Sequence, residues 1–214
     1  MDRHEVQQDG RDERRGDQHD ARREERPCDA AAAADALAHE LAGRVRAAGF
    51  ECVGTTEAAR LEVRLEVRAM CASGSCHMFG KNWACPPACS ELDHFARIIA
   101  AHRTALVFQT VAELEDEFDG ETMMEAEQLH KRRTEALADA LAADGLAPAR
   151  VFVLSAGTCA RCMPCAYPEP CRFPDKRLVS MEAAGLLVTD VCTAANIPYN
   201  HGPLTIAYTS CLLV

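Results

Sequence analysis

No stretch of the chain approaches the roughly 18 consecutive apolar residues that a bilayer-spanning helix needs. Basic charge is also in deficit, with 23 Lys and Arg against 33 Asp and Glu and a formal net charge of -10. The first absence argues against a membrane protein. The second argues against nucleic acid or anionic lipid as partners, because the field of the whole chain repels phosphate backbones and headgroups. The sequence also lacks G-x-G-x-x-G after a strand, a phosphate loop ending in G-K-S/T, H-E-x-x-H and G-x-S-x-G, so nucleotide binding and hydrolase chemistry lose support. Cysteine, by contrast, is abundant at 12 of 214 residues. That is about 6%, below the roughly 8 to 10% of disulfide scaffolds yet too much to be incidental.

The length suits one compact domain or two small ones, and 48% hydrophobic with 26% charged residues is ordinary globular composition. Residues 1–27 hold nine acidic residues and seven arginines, with only Met1, Val6 and Ala21 apolar. Such a stretch buries too little to offset its ordering entropy and reads as a disordered charged tail before a single domain at 28–214. It has no apolar core of a secretory signal and is too acidic for a transit peptide. The protein is therefore expected in the cytoplasm, where thiols stay reduced and serve metal or redox chemistry before structural disulfides.

Within 28–214, Asp29 reads as the cap of a helix to Ala48 with Leu37, Leu41 and Val45 along one stripe, stopped by Gly49. Phe50 to Val53 is a short strand candidate. Leu61 to Arg68 alternates apolar and charged residues without a break, the pattern of a strand with one wet face. Ser90 with Asp93 opens a helix presenting Leu92, Phe95 and Ile99, and Thr104 to Val111 follows as a strand. Six acidic residues from Glu113 to Glu121 form an exposed loop that lacks EF-hand spacing. This loop leads to a helix opened by a Thr122 and Glu125 capping box and closed by Gly145. Arg150 to Ser155 is a buried-type strand. A short Ser180-capped helix, a Leu186 to Val188 strand, a Thr189-capped turn of helix and a Leu204 to Val214 strand complete the chain. The alternation predicts an α/β fold, a layered mixed sheet with flanking helices, and two cysteine-rich metal loops leaving strand ends.

Eight cysteines fall in two quartets. Cys71, Cys76, Cys85 and Cys89 are spaced C-x4-C-x8-C-x3-C, and Cys159, Cys162, Cys165 and Cys171 are spaced C-x2-C-x2-C-x5-C. Two sets of four is the count of two tetrathiolate sites. Thiols at i, i+3 and i+6 wrap one compact object, as ferredoxin runs grip a cubane. A single zinc more often takes two C-x2-C pairs split by a long insert. The second quartet therefore favours iron-sulfur. The first matches no standard spacing, but Gly74, Gly80 and Pro86-Pro87 impose a tight irregular backbone around it. Phe79 and Trp83, the single tryptophan, are either a roof over the site or ordinary core aromatics. His77 reads as neither ligand nor donor. Cys52, Cys192 and Cys211 read as small buried hydrophobes and Cys28 as exposed, with Cys192 as the reserve ligand. Capping and solvation account for Ser180 and Glu182 more simply than catalysis does.

Four motifs in order carry a family resemblance: Cys76-His-Met-Phe79-Gly80-Lys81-Asn82-Trp83-Ala84-Cys85-Pro86-Pro87, Gly157-Thr-Cys159-Ala-Arg-Cys162-Met-Pro-Cys165, Cys171-Arg172-Phe173-Pro174, and Ser180-Met181-Glu182-Ala183-Ala184-Gly185. From about residue 50 onward the chain resembles the cysteine-rich bacterial and archaeal proteins known as predicted metal-binding proteins of unknown function. The resemblance implies that both quartets belong to that family's metal-binding pattern and that the arginine-rich tail does not. His77 departs from the glycine expected after the second cysteine.

The leading expectation is an iron-sulfur protein carrying up to two 4Fe-4S clusters and acting as an electron-transfer or redox accessory module for a partner protein. A structural zinc protein serving as a partner-binding module is one alternative. A thiol redox enzyme using the C-x-x-C pair Cys159 and Cys162 is another.

Overall fold

A computed structural model describes residues 27–73, 76–146, 148 and 150–214. The charged segment expected as a tail, and the side chain of Cys28, lie outside the described residues. Five strands form one mixed sheet in the order β1-β2-β5-β3-β4. These are β1 (Cys52–Glu57), β2 (Thr104–Glu113), β3 (Phe152–Ser155), β4 (Val179–Ser180) and β5 (Thr205–Leu213). β2 pairs antiparallel with β1 and β5, and β3 antiparallel with β5; only β3 and β4 run parallel.

Side-chain alternation along the two long central strands divides the core into two layers. Leu106 and Phe108 of β2 and Leu212 of β5 face one way. They pack against α1 (Pro27–Ala47) through Ala38, Leu41 and Val45, and against α4 (Gly120–Ala143) through Leu137 and Leu141. Ala105, Val107, Cys211 and Leu213 face the other way. There they meet α3 (Leu92–Ala101) through Phe95 and Ile99, and α5 (Val188–Ala194) through Val191. Both cysteine-bearing segments contribute to this second layer through Ala84, Cys89 and Cys159. The period of two in a strand thus gives one closed helical face and one face that carries the thiols.

The expected helices and strands at 29–48, 50–53, 104–111, 122–144, 150–155 and 204–214 are present with shifted ends, and the α/β class holds. Asp29 lies inside α1, and α3 starts after Glu91, which makes no side-chain cap. The cap of α4 is Asp119, whose carboxylate accepts from the Thr122 N–H at 3.1 Å, one turn ahead of the expected box. α5 follows Leu187 rather than a Thr189 cap, and Leu186 makes only an isolated bridge to Val63. Ser180 ends β4, and its hydroxyl accepts from the Ala183 N–H at 3.1 Å, capping a turn instead of a helix.

The expected strand at Leu61 to Arg68 is the largest correction. Only Val63 bridges, the Arg64 N–H donates to the Gly185 carbonyl at 2.8 Å, and α2 (Leu65–Ala72) then begins. Leu65, supposed to be inward, is 70% exposed. Apart from Val67 and Cys71, α2 consists of Leu, Glu, Arg, Met and Ala, all strong helix formers, and helical spacing puts Val67, Met70 and Cys71 on one face. Propensity outweighs the alternation here, and as a result the first cysteine-rich loop leaves a helix, not a strand.

Parallel strands need a long crossover, usually helical. Between β3 and β4 the crossover is instead residues 156–178, irregular apart from a 3-10 turn at Pro174–Lys176, and it holds the second cysteine group. Arg161 anchors it to α4. Its guanidinium donates to both carboxylate oxygens of Asp139 (2.8 and 3.0 Å), to the Glu135 carbonyl (3.2 Å) and, back within the crossover, to the Lys176 carbonyl (2.9 Å). A planar fork satisfied on both edges fixes position as well as charge.

In the closed layer His130 of α4 is fully buried, with Nδ1 3.0 Å from the Thr110 hydroxyl and Nε2 2.7 Å from the Ser210 hydroxyl. Burial, then the neighbouring Lys131 and Arg133, lower its pKa from 6.5 to about 3. The unfolded chain therefore binds the proton first. The stability from a neutral His130 is complete above about pH 6.5 and is lost as pH falls toward about 3, by up to about 1.4 kcal/mol per pH unit.

Two measurements check this architecture. Urea titrations between pH 7 and 4 are expected to show a smaller loss of stability in His130→Gln than in the wild type; equal slopes count against the buried neutral imidazole. Arg161→Ala is expected to lower stability by about 1 to 3 kcal/mol, less than the full penalty for a buried pair because Asp139 is partly wet. The same variant should open residues 156–178 to proteolysis, and Arg161→Lys should recover little of either effect because it loses the fork.

Candidate metal centre

Cys71 sits in the last turn of α2, on the face shared with Val67 and Met70. After it, residues 76–91 form an irregular loop closed on itself by Gly80 N–H to the Pro86 carbonyl (2.9 Å), Cys85 N–H to the Asn82 carbonyl (3.0 Å) and Cys89 N–H to the Cys85 carbonyl (3.0 Å). These turns bring cysteines distant in sequence to one place. Cys71, Cys76 and Cys85 line a single cavity of about 410 Å³, with Val67, Met70, Phe79 and Pro86 on the same wall. The turn at 180–185 adds Ser180, Glu182 and Ala183 to the lining, and Tyr199 lines it as well.

Cys89 belongs to the same loop but is not among the cavity-lining residues. It is buried in the core beside Ala84 and Phe95, and its sulfur accepts a hydrogen bond from Arg68 Nη2 at 2.9 Å. Arg68 is itself only 10% exposed, and its Nη1 lies 3.8 Å from Glu91 without a hydrogen bond.

The two loops are stitched together. Asn82, nearly fully buried, accepts from the Ala84 N–H at 2.9 Å and donates to the Cys159 carbonyl at 3.3 Å. Trp83 donates from Nε1 to the Glu169 carbonyl at 2.7 Å and meets Tyr167 edge-on with ring centroids 5.1 Å apart. Of the two aromatics considered as a roof, Phe79 lines the cavity while Trp83 joins the loops. In the second loop Cys159 is half-buried against the core, and the backbone N–H groups of Arg161 and Leu178 act to lower its pKa. The backbone N–H groups of Tyr167, Trp83 and Ala166 and the Cys162 thiol act in the same direction on Cys165. Cys162 and Cys171 are half-buried in the same loop, and His77 is exposed.

Burial dominates the thiol chemistry. It raises the Cys85 pKa to about 12, with further upward contributions from Cys76, Cys89, Cys71 and Cys165, so thiols of both loops lie close enough to oppose one another's ionisation. Cys71 is raised by burial and then by Cys76 and Glu182. Cys89 is raised by burial against the opposing pull of Arg68, and Cys159 by burial against its two N–H donors. Cys165 alone among the loop cysteines is lowered: burial raises it, but its N–H and thiol donors together outweigh that. Neutral thiols crowded this way ionise together only if a multivalent cation compensates them, which is the setting a metal provides. N–H groups aimed at sulfur are the outer-shell contacts that tune thiolate-bound metals. The donor set therefore fits a thiolate-held metal group. Among the described residues, no three His, Cys, Asp or Glu side chains are gathered tightly enough to chelate a single ion.

The isolated cysteines follow the expectation in part. Cys192 and Cys211 are fully buried, whereas Cys52 is half-buried. The Cys192 sulfur meets Gln109 Nε2 at 3.6 Å.

Glu182 is the residue the sequence reading set aside. Solvation does not account for it: its Oε2 is buried, has no hydrogen-bond partner among the described residues, and belongs to a side chain that lines the cavity. The one available signal was its place in a motif between turn-forming residues; nothing in the spacing pointed to the cysteines.

No curated protein and no solved structure matches the chain. Residues 55–214, which include both cysteine quartets, Glu182 and the strands that carry them, match the family described as predicted metal-binding protein. With three quarters of its length matched, the chain belongs to the predicted metal-binding protein family DUF2284.

Proposed function

We propose that the metal is iron-sulfur, with up to two 4Fe-4S clusters held by the two loops, and that the protein is an electron-transfer or redox accessory module for a partner protein. Cys71, Cys76 and Cys85 contribute to one site, and Cys159, Cys162, Cys165 and Cys171 hold the other. The observation that carries this reading is the convergence of three thiols from α2 and its following loop on one cavity, with Cys165 of the second loop near enough to influence Cys85. Two sites that close suit a relay of electrons between them. When bound, such clusters supply reversible one-electron uptake at a potential set by ligation, hydrogen bonds to sulfur and solvent access. The chain's part is to shield them with Phe79, Pro86 and Met70 and to direct N–H groups at their sulfurs.

One observation favours a second reading. Cys165 is the thiol with a lowered pKa, and Cys162, three residues before it, is among the groups that lower it, an arrangement suited to a C-x-x-C dithiol redox pair. The pair would then be Cys162 and Cys165, not Cys159 and Cys162.

Purification without oxygen is expected to give brown protein, bleached by dithionite, with iron and acid-labile sulfide in equal numbers and about four of each per occupied site. Cys76→Ser and Cys162→Ser should each remove about half the iron of a two-site protein. Colourless protein with stoichiometric zinc would overturn the iron-sulfur reading in favour of a structural zinc module. Unchanged iron in Cys165→Ser and Cys171→Ser would favour the dithiol.

A further inference from the structure

We infer that the carboxylate of Glu182, and not the thiol of Cys89, completes the first metal site beside Cys71, Cys76 and Cys85; this rests on the cluster reading above. The cavity separates the two residues. Its lining includes Cys71, Cys76, Cys85 and Glu182 but not Cys89. The sulfur of Cys89 is already engaged by Arg68 Nη2 at 2.9 Å, and the residue is only 4% exposed within the apolar core. To ligate, Cys89 would have to leave both the guanidinium and its packing. Glu182 is in the opposite position, because its Oε2 is withdrawn from water and has gained no donor among the described residues. Buried polar atoms without partners are rare in folded proteins, and an absent ion is one of the few physical explanations for them.

The backbone holds Glu182 there firmly. Met181 N–H donates to the Ser155 carbonyl at 3.1 Å, Leu186 N–H to the Met181 carbonyl at 2.8 Å, and Gly185 N–H to the Glu182 carbonyl at 3.0 Å. Gly185 closes the turn at φ +83°, and a Cβ there would sit 2.8 Å from Leu92 and 3.0 Å from the Arg64 carbonyl. A turn locked at both ends leaves Glu182 little freedom to swing toward solvent. A carboxylate oxygen is also a harder ligand than a thiolate and binds iron of such a group less tenaciously. The Glu182 position is therefore where an incoming small molecule would exchange most readily, and the apolar residues Val67, Phe79, Leu187 and Val188 line the same cavity.

The test compares Glu182→Gln, Glu182→Cys and Cys89→Ala, purified anaerobically beside the wild type, by iron and sulfide per chain and by electron paramagnetic resonance after reduction. Circular dichroism identifies any variant that fails to fold. Glu182→Gln, which keeps the shape but not the anionic oxygen, is expected to lower iron per chain by about half in a two-site protein and to remove one of two signals. Glu182→Cys should keep the iron and shift that signal, and Cys89→Ala should leave both signals in place. If Glu182→Gln retains wild-type iron and spectrum while Cys89→Ala loses them, the assignment is overturned and the cluster reading stands. Wild-type protein without metal overturns both.

Discussion

Apart from Cys71, at the end of α2, the cysteines of the two quartets lie in two loops with almost no regular backbone ladder, so side chains must hold what helices and sheets hold elsewhere. The Arg161 fork on Asp139 is the chief of these contacts, because it fixes the crossover between β3 and β4 to α4. Asn82 and Trp83 then bind the first loop to the second through carbonyls of Cys159 and Glu169. The first site is thus positioned against the second, and the second against the sheet. Ordering a loop opposes folding by about 1 to 2 kcal/mol per residue, far beyond what one ion pair offsets in a segment as long as 156–178. A metal held by thiols at several points of the loop would add cross-links where the backbone has none and so couple binding to ordering.

The sheet divides labour in a way that follows from strand geometry. Even-numbered residues of β2, Leu106, Phe108 and Thr110, face α1 and α4 and close over the buried His130. Odd-numbered residues face the layer with the thiols, and the last of them in the buried run is Gln109. Its Nε2 donates to the Pro198 carbonyl at 3.0 Å, and its Oε1 accepts from His201 Nε2 at 2.9 Å. Those two contacts pin the segment between α5 and β5 from which Tyr199 reaches the cavity. Gly54 supports the same region, since a Cβ there would lie 2.3 Å from the Ala195 carbonyl at the end of α5. The closed face around His130 and the cysteine-bearing face are therefore two sides of the same strands.

Where hydrophobic period and stop signals agreed, the sequence was legible: β2, β5 and α4 are found where they were expected, and Gly145 ends α4 with φ +75°. Leu61 to Arg68 misled because alternation has two readings when the residues are also good helix formers, and no neighbouring strand was available to settle it. The Asp119 cap was hidden in a run of acids in which any could have served. The cysteine spacing announced two groups, and the family match agrees that the protein is of a metal-binding kind. What spacing could not convey is that Cys89 points to Arg68 while Glu182, more than ninety residues later in the chain, faces Cys71, Cys76 and Cys85. That information resides in the docking of a turn on a loop, which local sequence does not encode.

Arg68 shows how a strongly acidic chain can set positive charge beside a cysteine sulfur. A guanidinium does not deprotonate in a protein, so a nearly buried one is a fixed positive charge whose desolvation must be balanced locally. Its partners here are the Cys89 sulfur at 2.9 Å, the Cys89 carbonyl at 3.4 Å and a Glu91 carboxylate at 3.8 Å that is itself largely exposed. With neutral thiols around it, this is a poor set for a buried cation, and Nη1 is left without a hydrogen bond. Negative charge gathered on the neighbouring sulfurs would improve it, and the lower dielectric of the interior makes that attraction stronger than at a surface. Arg68 and Arg177 both act to lower the Cys89 pKa, and Arg161 does the same at Cys159. The overall charge of -10 therefore says little about the site: the loops keep their own cations beside the thiols, and the field at the sulfurs is set by those few arginines.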